Sequence, residues 1–96
     1  MLEIRPSCEN CNKPLPPDSK EAMICTFECT FCQECVTEIL QNVCPNCGGG
    51  FEKRPVRPSG LLTKYPPGVK EILKPVNLNS FLELKDRLKD IPPEKR

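Results

Sequence analysis

Eight cysteines fall into four close pairs: Cys8-x2-Cys11, Cys25-x3-Cys29, Cys32-x2-Cys35 and Cys44-x2-Cys47. Two cysteines at such spacing can turn both sulfurs toward one ion, and zinc takes four ligands in a tetrahedron. Eight thiolates therefore suit two zinc ions with no coordination position left open, which marks structural rather than catalytic zinc. The chain has no His, so any metal site must use sulfur or oxygen. Four thiolates also accept iron, as in rubredoxin-like knuckles, so the spacing leaves zinc versus iron open.

The middle stretch, CTFECTFCQEC, bears on how four pairs share two ions. Pairs one and two on one ion, with three and four on the other, would give two beads in series. Pairs one and three on one ion, with two and four on the other, staple the chain crosswise. The crosswise arrangement closes longer loops and makes one body around Met23, Ile24, Phe31, Val36, Ile39 and Leu40, and it is the arrangement expected. It assigns Cys8, Cys11, Cys32 and Cys35 to a first site, and Cys25, Cys29, Cys44 and Cys47 to a second.

Other uses of clustered cysteine fit less well. A disulfide knot needs an oxidising compartment, whereas cytosolic cysteine clusters more often bind metal. The first residues, MLEIRPSCENC, hold no apolar run like a signal peptide, and no later stretch would span a bilayer, so a cytoplasmic location is expected. Cys25-x3-Cys29-x2-Cys32 matches the cysteine spacing of radical SAM enzymes, but 96 residues are too few for the barrel such chemistry needs. No βαβ pattern surrounds a CxxC pair to suggest a thioredoxin-like couple.

The elements that must position these cysteines are short. Leu2 and Ile4 alternate with Glu3 and Arg5 as in a short strand. Leu15-Pro-Pro-Asp-Ser19 reads as a turn. Ala22 to Phe27 reads as a strand. Gln33 to Asn42 reads as a helix, because Val36, Ile39, Leu40 and Val43 recur on one helical face; Cys44-Pro45 should stop it. Residues 52–78 carry five prolines and are expected either to run extended on the module, with Leu61, Leu62, Tyr65, Val69, Ile72 and Leu73 as docking points, or to form a disordered linker. From Asn79 a second helix is expected to residue 91. Ser80 and Glu83 would form its capping box, and Phe81, Leu84, Leu88 and Ile91 its apolar side. The expected fold is a small metal-stabilised α+β module over 1–51 with a short hairpin and one helix, then a Pro-rich segment over 52–78 and a C-terminal amphipathic helix over 79–91.

The pattern Cys8-x2-Cys11, Cys25-x3-Cys29-x2-Cys32-x2-Cys35, Cys44-Pro45-Asn46-Cys47 resembles the RING finger, with Cys29 where the usual ligand is His. Phe31 directly before Cys32, the helix after Cys35 and Pro45 after Cys44 add to the likeness, which covers residues 8–47. The whole chain also resembles a family of small bacterial cysteine-rich proteins of unknown function. The RING likeness implies a cross-brace fold and, in most members, ubiquitin-ligase activity. Of the surface that such ligases use, only Pro45 is kept here: Glu9-Asn10 fills the first pair, there is no Trp, and Gly48 follows the last ligand.

No catalytic constellation is visible, because without His the usual general base is missing. Asp18, Glu21, Glu28, Glu34 and Glu38 read as a solvated acidic face. Residues 1–50 carry three basic and seven acidic groups, and residues 51–96 eleven basic and six acidic. The leading reading is a non-catalytic zinc-binding adaptor with a protein partner on the helix 33–43 face or the 79–91 helix. The alternative is a nucleic-acid-binding zinc module using Lys53, Arg54 and Arg57. No membrane or small-molecule substrate is expected.

Overall fold

The computed structural model describes all residues, 1–96. Its centre is a three-stranded antiparallel sheet in the order β2-β1-β3, made of β1 (Ala22–Ile24), β2 (Thr30–Cys32) and β3 (Glu52–Lys53). β1 and β2 form the expected hairpin, with Ala22 opposite Cys32, Met23 opposite Phe31 and Ile24 opposite Thr30. The expected strand to Phe27 stops at Ile24, because Cys25 and Cys29 form the hairpin's turn. In that turn the Glu28 amide bonds the Cys25 carbonyl at 3.0 Å, and Glu28 takes a left-handed φ of 63°.

The stretch Leu2–Arg5 is not a strand. It has no ladder partner; Ile4 is buried, and its carbonyl accepts the Gly68 amide at 2.8 Å instead. The helix after Cys32 is shorter and wider than the spacing predicts. Residues 35–40 (Cys35–Leu40) form a π-type turn, closed by the Gln41 amide bonding the Val36 carbonyl. Gln41 and Asn42 both adopt left-handed backbone, so the helix ends before Pro45 can act. Asn tolerates this conformation well, and Asn42 Oδ1 also accepts the Phe51 amide at 2.9 Å. Val36, Leu40 and Val43 are buried as the periodicity requires, while Ile39 is half-buried. Phe31 and Phe51 meet edge to face, with centroids 5.5 Å apart, a favoured aromatic geometry.

Beyond Lys53 the chain wraps the module with little regular structure. Leu62, Tyr65 and Ile72 are half-buried, but Leu61, Val69 and Leu73 are exposed and dock nothing. Polar bonds hold the wrap instead. Arg57 Nη2 donates to the Leu2 carbonyl at 2.6 Å, and the Lys74 amide donates to the Glu9 carbonyl at 2.7 Å. The C-terminal helix α1 spans Leu78–Leu88. Its cap is Asn77, not Ser80: Asn77 Oδ1 accepts the Asn79 and Ser80 amides at 3.1 and 3.3 Å. Asn outcompetes Ser80 here because its extended backbone places the oxygen over the free first-turn amides. Phe81 is buried and Leu84 and Leu88 pack partly buried against the cysteine core, so the apolar side of α1 is satisfied within the chain. No helix is long and apolar enough to cross a membrane.

Candidate metal centre

Four sulfurs converge first. The Sγ atoms of Cys8, Cys11, Cys32 and Cys35 lie within 4.8 Å of one another. The Cys8–Cys35 and Cys11–Cys32 separations are both 3.8 Å. A sulfur tetrahedron around zinc, with bonds near ~2.3 Å, has edges of about 3.8 Å. The donor set thus fits a tetrahedral ion in size and in chemistry. Residues far apart in sequence supply it: the loop before the sheet gives Cys8 and Cys11, the end of β2 gives Cys32, and the π-turn gives Cys35.

In the second cluster Cys25, Cys44 and Cys47 lie within 4.8 Å of one another. Cys29, expected as the fourth ligand, stands outside that mutual group. It is buried, and its sulfur accepts the Asn46 side-chain amide at 3.4 Å. The sequence-predicted residues therefore come together as four and three, with the eighth alongside. None of the eight is in a disulfide.

Amide donors surround both clusters. The Phe27 amide reaches Cys25 Sγ at 3.3 Å, the Gly49 amide reaches Cys47 Sγ at 3.4 Å, and the Cys35 amide reaches Cys32 Sγ at 3.5 Å. Such bonds favour the thiolate over the thiol. Burial acts in the other direction. It pushes the Cys35 and Cys44 thiols far above their ordinary range, with neighbouring sulfurs adding to the rise. Burial also raises Cys29 and Cys32. Cys8 is buried too, but the backbone amides of Cys11, Cys32 and Asn10 outweigh that and lower it. Several thiolates packed together without a cation repel one another; a bound divalent ion would remove that cost.

Four residues that spacing alone does not single out complete the arrangement. Asn10 donates Nδ2 to Cys35 Sγ at 3.4 Å, and its Oδ1 accepts the Val76 amide at 2.9 Å. Asn46 Nδ2 likewise donates to Cys29 Sγ. The shared Cys-x-Asn-Cys of CENC and CPNC was the signal available in the sequence. Glu9 is buried between the first two cysteines. Its carboxylate accepts the Thr30 amide at 2.6 Å and Arg5 Nη1 at 2.8 Å, which ties the first cysteine loop to β2. Gly48, after the last cysteine, has φ of 77°, and a Cβ there would sit 3.0 Å from Leu88 Cδ1, so α1 closes directly over this knuckle.

Comparison with known proteins adds a family but no activity. Residues 1–57, which contain every cysteine, match the family described as "Protein of unknown function (DUF1272)". An uncharacterised protein of Rhizobium meliloti (strain 1021) is 57% identical over 75 residues, 78% of this chain and 89% of that relative. No solved structure matches significantly. The chain belongs to the DUF1272 family.

Proposed function

We propose that this protein is a non-catalytic structural zinc protein that holds two ions in a RING-like cross-brace and serves as a protein-interaction adaptor. The observation that carries the metal reading is the convergence of Cys8, Cys11, Cys32 and Cys35 with 3.8 Å edges. Cys25, Cys44 and Cys47 hold the second ion, and Cys29 completes its shell by a small movement of the hairpin turn. The zinc supplies cross-links that a chain with five aromatic residues cannot obtain from its core.

The details around the clusters favour a binding role over ligase chemistry. The surface a RING ligase would present lies under the chain's own C-terminal part. Glu9 and Asn10 bond residues 74 and 76, Leu88 lies against Gly48, and Pro45 and Asn46 line a groove with Val76, Phe81 and Leu84. A nucleic-acid role loses most of its residues. Arg54 is 3% exposed and donates to the carbonyls of Arg5, Leu15 and Pro16, and Arg57 donates to those of Leu2 and Tyr65. Only Lys53 of that trio stays free to meet a phosphate. For a protein partner, α1 offers its outward side, where Leu78 and Leu82 are exposed one turn apart.

Native mass spectrometry of the purified protein, beside the same sample denatured, tests the metal reading. Two zinc ions with eight free thiols after denaturation are expected. A metal-free chain, or one lighter by the hydrogens lost to disulfides, overturns it.

A further inference from the structure

The two sulfur clusters are built unequally. Each has one exposed cysteine, Cys11 in the first and Cys47 in the second, so exposure alone does not separate them. Convergence does. The first cluster presents four sulfurs to one point, the second only three, with Cys29 beside them. Their coverings differ too. The first cysteine loop lies under residues 74–76, through the Lys74 amide on the Glu9 carbonyl and the Val76 amide on Asn10. The second knuckle meets α1 at Gly48, yet it also borders a shallow open concavity lined by Phe27, Asn46 and Cys47, and Phe27 is 71% exposed. Each cluster has one asparagine bonded to a sulfur, but Asn10 bonds Cys35, a converging ligand, whereas Asn46 bonds Cys29, which stands outside its group and so keeps a bonded place when it is off the ion.

We propose, resting on the two-zinc reading above, that the second cluster is an exchangeable site whose fourth ligand, Cys29, can be replaced by the sulfur of a small external thiol. The exchange is a ligand substitution without oxidation. The entering thiol's sulfur bonds the ion, the Cys29 sulfur–zinc bond breaks, and the entering thiol's proton passes to the Cys29 thiolate. Charge and ligand number at the ion stay the same. The groove at Phe27, Asn46 and Cys47 is the approach, and its shallow form suits a small thiol. The first cluster, with all four positions filled by converging sulfurs, does not exchange in this way.

The test starts from the two-zinc protein, established by native mass spectrometry; a sample without zinc refutes the underlying reading before any exchange is attempted. With 2-mercaptoethanol added, a species carrying the protein, both zinc ions and one thiol is expected. With a chromogenic chelator added, zinc should leave in two phases. Alkylation and peptide mapping after the first phase should label Cys25, Cys29, Cys44 and Cys47 and spare Cys8, Cys11, Cys32 and Cys35. In Cys29→Ser the first phase should quicken and the second stay unchanged. A single phase of release, label among Cys8, Cys11, Cys32 or Cys35 after the first phase, or absence of the thiol adduct overturns the proposal. The mapping on the natural chain decides the matter even if the serine variant does not fold.

Discussion

Residues 1–54 and residues 55–96 are held by different physics. Of the 20 buried residues only Phe81 lies beyond Arg54. The first region has a real interior: Ile4, Leu15, Phe31, Leu40 and Val43 are almost wholly sealed, among cysteines placed to bind metal. The second has one fully buried anchor, Phe81, with Val76, Leu84 and Leu88 packed partly buried against the core, and otherwise clings through backbone amides, Lys85, Arg57 and Arg96 that reach the carbonyls of the first and the Asn10 side chain. A chain this small cannot bury enough apolar surface for two cores. It gathers its core around the cysteines and lets the remainder follow the surface made there. Arg54 sits at the join. Its backbone extends β3 by bonding Ala22, while its side chain pins the residue 5 and residue 15–16 loops.

This contrast can be broken from either side. The largest effect should come from metal removal. Structural zinc contributes on the order of 10 kcal/mol to folding, so a strong chelator should abolish the cooperative melt of both regions, read by circular dichroism. Acid should do the same, because protons compete with metal for sulfur. Cys32→Ala removes a converging ligand and should also leave no cooperative melt; a folded, fully metallated variant would show that the clusters are not what holds the first region. Phe81→Ala should cost about 3 kcal/mol, felt in the second region alone. Hydrogen exchange should rise across 74–88 while the hairpin and both ions stay protected. Equal loss in both regions would erase the distinction drawn here.

Smaller changes sharpen it. Arg54→Leu strands three carbonyls and should lower stability by about 2 kcal/mol in a chemical denaturation curve, loosening the join without loss of metal. Its charge is already disfavoured, since burial lowers the Arg54 pKa and no carboxylate pairs with it. Asn77→Ala should cost about 1 kcal/mol and show only as fraying of the first turn of α1. Ser80→Ala should do less than that, because Ser80 is not the cap.

Much of the first region could be read from the chain alone, because cysteine spacing is a local property with a sharp chemical meaning. The CxxC pairs, the hairpin of β1 and β2, and the buried Val36, Leu40 and Val43 follow from spacing, β propensity and periodicity. So does the inward side of α1, since Phe81, Leu84 and Leu88 lie on one stripe at helical intervals. What failed depended on competition between neighbours. Leu2–Arg5 alternates like a strand, but no edge is free to receive it. Asn77 took the cap from Ser80 because of where the incoming chain bends. The Gln33–Asn42 helix is cut short by two left-handed residues, Gln41 and Asn42, the second of which takes the amide of Phe51, nine positions away.

Sequence by itself determined that this chain carries eight thiols in pairs at metal-ligand spacing, one apolar stripe on each helix, and only five aromatic residues to fill a core. Only the tertiary structure decided which sulfurs meet, that Cys29 stands beside its cluster rather than within it, and that Arg54 and Arg57 face inward. The reason is physical: a pair's spacing fixes which sulfurs can share an ion with each other, but the path of the loops between pairs fixes which pairs arrive together. A basic side chain likewise carries its charge in the sequence, and only the carbonyls that surround it decide whether that charge is spent inside the fold.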